Sequence, residues 1–75
     1  MLHAFILPNH WTNAVRLSLE DLAKDGKRLK VKRFEIDGNL KTFHQLVLTV
    51  EAHPFDILQL GVKIGVMLQK EITDL

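Results

Sequence analysis

The chain has 75 residues, a formal net charge of +1 and no cysteine. We expect one domain spanning residues 1–75, and a domain of this size typically buries only about 60% of the surface that its unfolded chain exposes. The absence of cysteine excludes disulfides and thiolate zinc sites, so self-association gains weight among the usual supports of a small fold. A hydrophobic fraction of 47% with 25% charged residues is typical of a packed globule.

The first two predicted elements are a strand and a helix. Residues 2–7 form a short apolar run that ends at a proline, which favours a strand. Asn9 is the predicted N-cap of a helix that continues through Ala23, and Thr12 is a competing cap. Gly26 follows the helix and supplies the expected left-handed stop.

A hairpin and a second helix follow. Residues 29–36 and 42–52 are rich in β-branched and aromatic residues, and the Asp-Gly-Asn sequence at 37–39 favours a tight turn between them. The strands should therefore be antiparallel neighbours. Asp56 lies early in a predicted helix that continues to about Ile72, because a negative charge near a helix start offsets the helix dipole.

The order β-α-β-β-α predicts an α+β fold. A strand-helix-strand crossover is right-handed in nearly all cases and makes its two strands parallel. The third strand is the longest and most apolar, so it should be central. We therefore predict a three-stranded mixed sheet with two helices on one face. This arrangement resembles, in geometry alone, a ferredoxin-like domain that lacks its last strand and leaves strand one as an edge.

The register of the hairpin determines which side chains share a face. With a two-residue loop, Leu29 and Val31 face the core together with the even-numbered residues of strand three. The opposite face then receives Phe34, Ile36 and Phe43, which leaves apolar side chains at the distal end of the hairpin without a cover. A bulge or a longer loop is the alternative, and it would return Phe34 and Ile36 to the core face.

The second helix carries two apolar stripes. The first consists of Ile57, Leu60, Ile64, Met67 and Leu68. The second consists of Phe55, Leu58, Val62 and Val66. Two stripes require two neighbours, so we predict that the second stripe, with Phe34, Ile36 and Phe43, forms a homo-oligomer interface. The alternative is a helix that its own chain buries on all sides.

The positive charge is concentrated in residues 24–33, which hold six basic residues and one acidic residue. This segment is therefore +5, and the rest of the chain is −4. Such a patch can attract phosphates or an acidic partner. The candidate residues for a nucleic-acid or other partner are Lys27, Arg28, Lys30, Lys32, Arg33 and Lys41. The alternative is that the lysines only keep a strand edge solvated and unpaired.

Few residues suggest catalysis. Glu51 and His53 share a strand face, and His10 could join them in a metal site if the loop after strand one lies beside that corner, but two ligands in one strand arise easily by chance. Ser18 is the only serine in the chain, and it has no legible acid-base partners. We therefore predict no catalytic residues, no metal site and no cofactor.

These observations favour a small non-enzymatic interaction module that forms homo-oligomers and binds another macromolecule. A nucleic-acid-binding protein that uses the basic segment is the alternative, and a metal-dependent enzyme is the third hypothesis. The N-terminal segment has no basic stretch and no small-residue cleavage site, and the most apolar window is too short for a membrane span. We therefore expect a cytoplasmic protein without a membrane partner.

Overall fold

The computed structural model describes residues 1–38 and 44–73. Its elements in chain order are β1 (Leu2–Pro8), α1 (Thr12–Lys24), β2 (Lys30–Asp37), β3 (Gln45–Glu51) and α2 (Pro54–Thr73). The α+β class and the order β-α-β-β-α are confirmed. The molecule is a thin slab of 39 × 32 × 16 Å, because the two helices cover one face of the sheet and the other face stays open.

The sheet has the strand order β1-β3-β2, and both ladders are antiparallel. The central position of β3 is confirmed. The crossover through α1 makes β1 and β2 parallel to each other, as predicted, but β3 lies between them. Since no parallel pair is in contact within the described residues, the sheet is antiparallel and not mixed.

The start of α1 differs from the prediction. Residues Asn9–Trp11 form a short 3-10 turn, and α1 begins at Thr12 without a side-chain cap. The Thr12 hydroxyl instead donates to the Asn9 carbonyl over 2.6 Å, so neither Asn9 nor Thr12 caps α1. The end of the helix is as predicted, because Gly26 has a left-handed φ of 79°.

A bulge corrects the predicted register of the hairpin. Val31 pairs with Val50 as expected, but the register shifts between Val31 and Arg33. Lys32 is the extra residue, so Phe34 lies opposite Leu48 and Ile36 lies opposite Leu46. Both side chains therefore belong to the core face, so their place on the opposite face is wrong and the alternative of a bulge is confirmed. The predicted turn falls partly on residues 39–43, which lie outside the described residues.

The core lies between β3 and the two helices. Alternate residues of β3 face the helices, and Val15 and Leu22 of α1 and Leu60 of α2 complete the centre. The fully buried large side chains are Leu22, Leu46, Leu48, Val15, Val50 and Ser18. Ser18 is satisfied locally, because its hydroxyl donates to the Ala14 carbonyl over 2.7 Å.

An ion pair joins the two helices. Lys63 Nζ lies 2.8 Å from Asp21 Oδ2 and 3.8 Å from Asp25 Oδ2. The hydrogen bond from Lys63 lowers the pKa of Asp21, and the same bond raises the pKa of Lys63. A second contact runs from Asn13 Nδ2 to Glu71 Oε1 over 3.3 Å. Because the start of α1 contacts the end of α2, the helices are antiparallel.

This pair predicts a pH dependence of stability. The contribution of Asp21 is complete above its ordinary pKa of 3.8 and is lost as the pH falls through its lowered folded pKa. The contribution of Lys63 is complete below 10.5 and is lost as the pH rises through its raised folded pKa. We expect Asp21→Asn to destabilise the protein modestly at pH 7 and to have a smaller effect in acid, as measured by urea unfolding at both pH values.

The matched control for this experiment is Glu20→Gln. Glu20 forms an exposed pair with Arg16 within α1 at 3.2 Å, and such pairs contribute little to stability. A difference between the wild type and Asp21→Asn that stays constant between neutral pH and strong acid would contradict the assigned role of the Asp21–Lys63 pair.

Candidate interaction surfaces

The second apolar stripe of α2 is exposed to solvent, and we call it the outer stripe. Phe55 is 70% exposed, Leu58 67%, Val62 68% and Val66 44%. These residues are three or four positions apart and therefore follow one line along the helix. Apart from the His53 ring, which stacks on Phe55, the described part of the chain covers little of these side chains, in contrast to the alternative of a fully buried helix.

The first stripe of α2 faces the core. Leu60 is buried, and its neighbours on the same stripe are partly buried. Ile57 and Ile64 pack against the hydrophobic cluster of the sheet. Packing within the single chain therefore covers one of the two apolar stripes.

Two glycines lie on the flank of α2 between the stripes. A Cβ added at Gly61 or Gly65 would meet nothing within 4 Å. Glycine costs a helix about 1 kcal/mol relative to alanine. The described chain supplies no packing reason for either glycine, and a close approach by another backbone is the usual use of such a position.

β1 is an unprotected edge strand. Its sequence LHAFILP contains no Asp, Glu, Lys or Arg, and no strand among the described residues pairs with its outer side. The opposite edge, β2, has charges at five of its eight residues and carries the bulge. Charges and bulges are the devices by which proteins prevent edge-to-edge pairing. One edge of this sheet is therefore protected and the other is not.

The free backbone groups of β1 can be assigned from the ladder. Ala52 N–H donates to the Met1 carbonyl over 3.0 Å, so residues with odd numbers in β1 direct their backbone groups toward β3. Backbone groups alternate along an antiparallel strand. Leu2, Ala4 and Ile6 therefore direct their N–H and C=O groups to the open edge. The edge position of strand one was predicted, whereas these three residues were not, because the side to which each backbone group points depends on the ladder with β3.

An apolar groove connects the β1 edge with α2. It has a volume of about 210 Å³, and its lining is Phe5, Leu7, Trp11, Leu48, Ile57, Leu60, Gly61 and Ile64. Because Gly61 lines this groove together with Phe5 and Leu7 of β1, the glycine flank of α2 lies on the β1 side of the molecule. The edge strand, the groove and the helix flank thus form one continuous apolar region.

The hairpin residues that were predicted to form part of the interface do not share one environment. Phe34 packs against the core, because the bulge turns it toward the helices. Ile36 shares that face but is 53% exposed near the end of the strand. Phe43 lies outside the described residues. Among the described residues, more of the exposed apolar surface is therefore on α2 than on the hairpin strands.

The basic segment is partly neutralised. Lys32 Nζ lies 3.5 Å from Glu51 Oε2, and Arg33 pairs with Glu35. Lys27, Arg28 and Lys30 have no acidic partner among the described residues. These three line a hollow of about 380 Å³ that Glu51 also borders. Lys41 lies outside the described residues.

The histidines do not converge. Leu2 lies opposite Glu51, whereas Pro8 lies opposite Gln45, so His10 and Glu51 are at opposite ends of the sheet, about 20 Å apart at 3.3 Å per strand residue. Searched over residues 1–38 and 44–73, the chain has no group of three or more possible metal ligands. The condition for His10 to join Glu51 and His53, a loop after β1 beside that corner, is therefore not met.

His53 has a local role. Its Nδ1 accepts a hydrogen bond from the Phe55 N–H over 3.2 Å at the start of α2, and its ring stacks on Phe55 at 5.6 Å. On β1, His3 stacks on Phe5 at 6.4 Å, and His3 Nε2 is buried and has no hydrogen-bond partner among residues 1–38 and 44–73. The place of His3 on the core side of an edge strand was not predicted, because it depends on the pairing of β1 with β3.

Comparisons with known proteins do not assign this chain to a family. A scan against protein-family models and searches of curated proteins and of solved structures found no match for this chain. No helix in residues 1–38 and 44–73 is both long and apolar enough to cross a membrane.

Proposed function

We propose that this chain is a small non-enzymatic interaction module that self-associates and, as an oligomer, binds another macromolecule. The observation that carries the proposal is the outer stripe of α2. Contiguous exposed apolar surface of this kind marks interaction sites in folded proteins. The outer stripe carries no charge, so a second apolar surface is its natural partner.

The total surface area supports self-association. The chain exposes 5546 Å², whereas a monomeric protein of 8.6 kDa is expected to expose about 4,700 Å². The excess is about 850 Å², which is close to the roughly 800 Å² that one partner contributes to a standard interface. Among the described residues, most of the large exposed apolar side chains lie on α2 and β1.

Light scattering coupled to gel filtration tests the proposal. We expect the wild-type chain to be a dimer or larger oligomer at tens of micromolar, the range in which a specific interface of standard size is usually occupied. A clean monomer at that concentration would overturn the self-association. Recovery of the native complex from its source then identifies the further partner.

Nucleic-acid binding is a second candidate function, and the uncompensated cations at the hollow favour it. Lys27, Arg28 and Lys30 surround one concave surface, and the Lys32 and Arg33 charges are already paired with Glu51 and Glu35. Phosphate contacts by Lys and Arg release counterions, so this function requires an affinity that falls steeply with added salt.

Charge reversal at the hollow tests the second candidate. We expect the double variant Lys27→Glu/Arg28→Glu to abolish binding of a fluorescently labelled DNA or RNA oligonucleotide at low salt, as measured by anisotropy. Lys70→Glu on α2 reverses one charge at a residue that does not line the hollow, and it is the control. Failure of the wild-type protein to bind either oligonucleotide at low ionic strength would remove this function.

A further inference from the structure

The unprotected edge of β1 and the glycine flank of α2 lie on one side of the slab, and together they describe how two copies join. We propose that two chains pair their β1 strands antiparallel across a two-fold axis, which produces a continuous six-stranded sheet of order β2-β3-β1-β1-β3-β2. This inference rests on the proposed self-association and specifies its geometry.

The difference between the two sheet edges indicates that β1, and not β2, pairs with the second copy. β2 has the charged residues and the bulge that discourage pairing, and β1 has neither. Because β1 has no fixed charge, it does not attract a charged partner electrostatically. A second copy of the same uncharged strand meets it without repulsion, and closed two-fold association is the commonest form of oligomer.

The outward backbone groups also fit a second copy. In an antiparallel pair, two residues that face each other can exchange both N–H···O=C bonds. If Ala4 lies on the axis opposite Ala4 of the second copy, Leu2 lies opposite Ile6. Every outward N–H of these three residues then has a carbonyl partner. Pro8, which has no N–H, stays outside the ladder.

A two-fold axis perpendicular to the sheet places both α2 helices on the same face. The glycine flank of α2 lies on the β1 side, because Gly61 lines the groove with Phe5 and Leu7. The two flanks therefore face each other across the axis. Helices in contact are 8–10 Å apart, and glycine permits the lower end of that range. This geometry gives the otherwise unexplained Gly61 and Gly65 a packing role, while the outer stripes lie on the side of α2 that faces away from the sheet.

A proline at Ala4 tests the strand pairing. Ala4→Pro removes an N–H that faces the open edge and keeps the ladder to β3, as edge strands tolerate. We expect the dissociation constant of the dimer to rise at least about tenfold, because each chain loses a backbone hydrogen bond to the other. Ala4→Val keeps the N–H and is the matched control, for which we expect no loss. Sedimentation measures both, and circular dichroism checks that the variants fold.

Single cysteines test the register and do not depend on the proline variant. Directly opposed residues of a bonded pair have Cα atoms about 5.5 Å apart, which suits a disulfide. Ala4→Cys should therefore give a cross-linked dimer on mild oxidation. Thr49 lies opposite Ala4 on β3, so two copies of Thr49 would be about 14 Å apart. Thr49→Cys should stay uncross-linked under the same conditions.

The outcomes separate this inference from the proposed function. A monomeric wild-type protein overturns both. A wild-type dimer whose affinity Ala4→Pro leaves unchanged, or whose Ala4→Cys variant fails to cross-link, retains the self-association and overturns the β1 pairing or its register. A dimer that Ala4→Pro weakens and Ala4→Cys cross-links, with both controls unaffected, supports the six-stranded sheet.

Discussion

Replacing Leu48 by alanine is expected to leave most of the chain unfolded at 25 °C. Leu48 is 1% exposed and lies in the central strand between Phe5 of β1 and Phe34 of β2. Removing a buried leucine side chain costs about 2–5 kcal/mol. A domain of this size has a total stability of only a few kcal/mol. The free energy lost in the variant is therefore comparable with the total stability of the domain.

Far-UV circular dichroism and urea titration measure this effect at one fixed protein concentration, because association would add to the apparent stability. Val47→Ala is the matched control, since Val47 is the next residue of β3 and faces the open side of the sheet, where it is only partly buried. Equal urea midpoints for the two variants would contradict the placement of the core on the even-numbered side of β3.

Local pattern predicted much of the fold because the physical signals were strong. The alternation of Leu46, Leu48 and Val50 defines the core side of β3, and the two stripes of α2 face inward and outward as their spacing indicated. Gly26 ends α1 because the backbone there needs a left-handed residue. Each of these features depends on residues that are close in sequence, where periodicity and turn chemistry are most informative.

The incorrect predictions arose where a single extra residue changes the strand register, or where residues distant in sequence come together. The change of apolar side near Arg33 indicated either a bulge or a partner, and only the strand register shows that the bulge at Lys32 returns Phe34 and Ile36 to the core face. The Asn9 cap failed because a 3-10 turn takes up residues 9–11 before α1 begins. A metal site that includes His10 depended on a contact with Glu51, and antiparallel pairing of β1 with β3 puts these two residues at opposite ends of the sheet.

The candidate surfaces were predicted unequally. The outer stripe of α2 followed from helical spacing, and the structure leaves it exposed. The continuity between that helix and the β1 edge could not be predicted, because it depends on which sheet edge α2 lies over. The partial neutralisation of the basic segment was also hidden, since the Lys32–Glu51 pair joins residues that only the strand register brings together.

Val62→Glu is expected to convert the dimer into a folded monomer. Val62 is 68% exposed in the single chain, and glutamate favours helix more than valine does, so the monomer itself should not be destabilised. Where the outer stripe forms the interface, the variant would bury an unpaired charge in the dimer, at a cost of about 3–5 kcal/mol. The dissociation constant should therefore rise at least about a hundredfold, as measured by sedimentation equilibrium.

Gln59→Glu is the matched control, because it adds the same charge to an exposed position on the polar side of the same helix and should leave the dimer intact. A Val62→Glu protein that remains dimeric would remove the outer stripe from the interface. Dissociation by Val62→Glu together with an unaffected Ala4→Pro dimer would assign the interface to the helices alone.

The Val62→Glu variant also determines whether association is part of the fold. If the lone chain is stable, the variant unfolds at a urea concentration that does not depend on protein concentration, while the wild-type midpoint rises with concentration through mass action. If the variant is unfolded without urea, dimer formation supplies the missing stability, since Val62 has few contacts to lose in the monomer. The outer stripe would then be the second half of the core, and the open face of the sheet and the basic hollow would remain for the further partner.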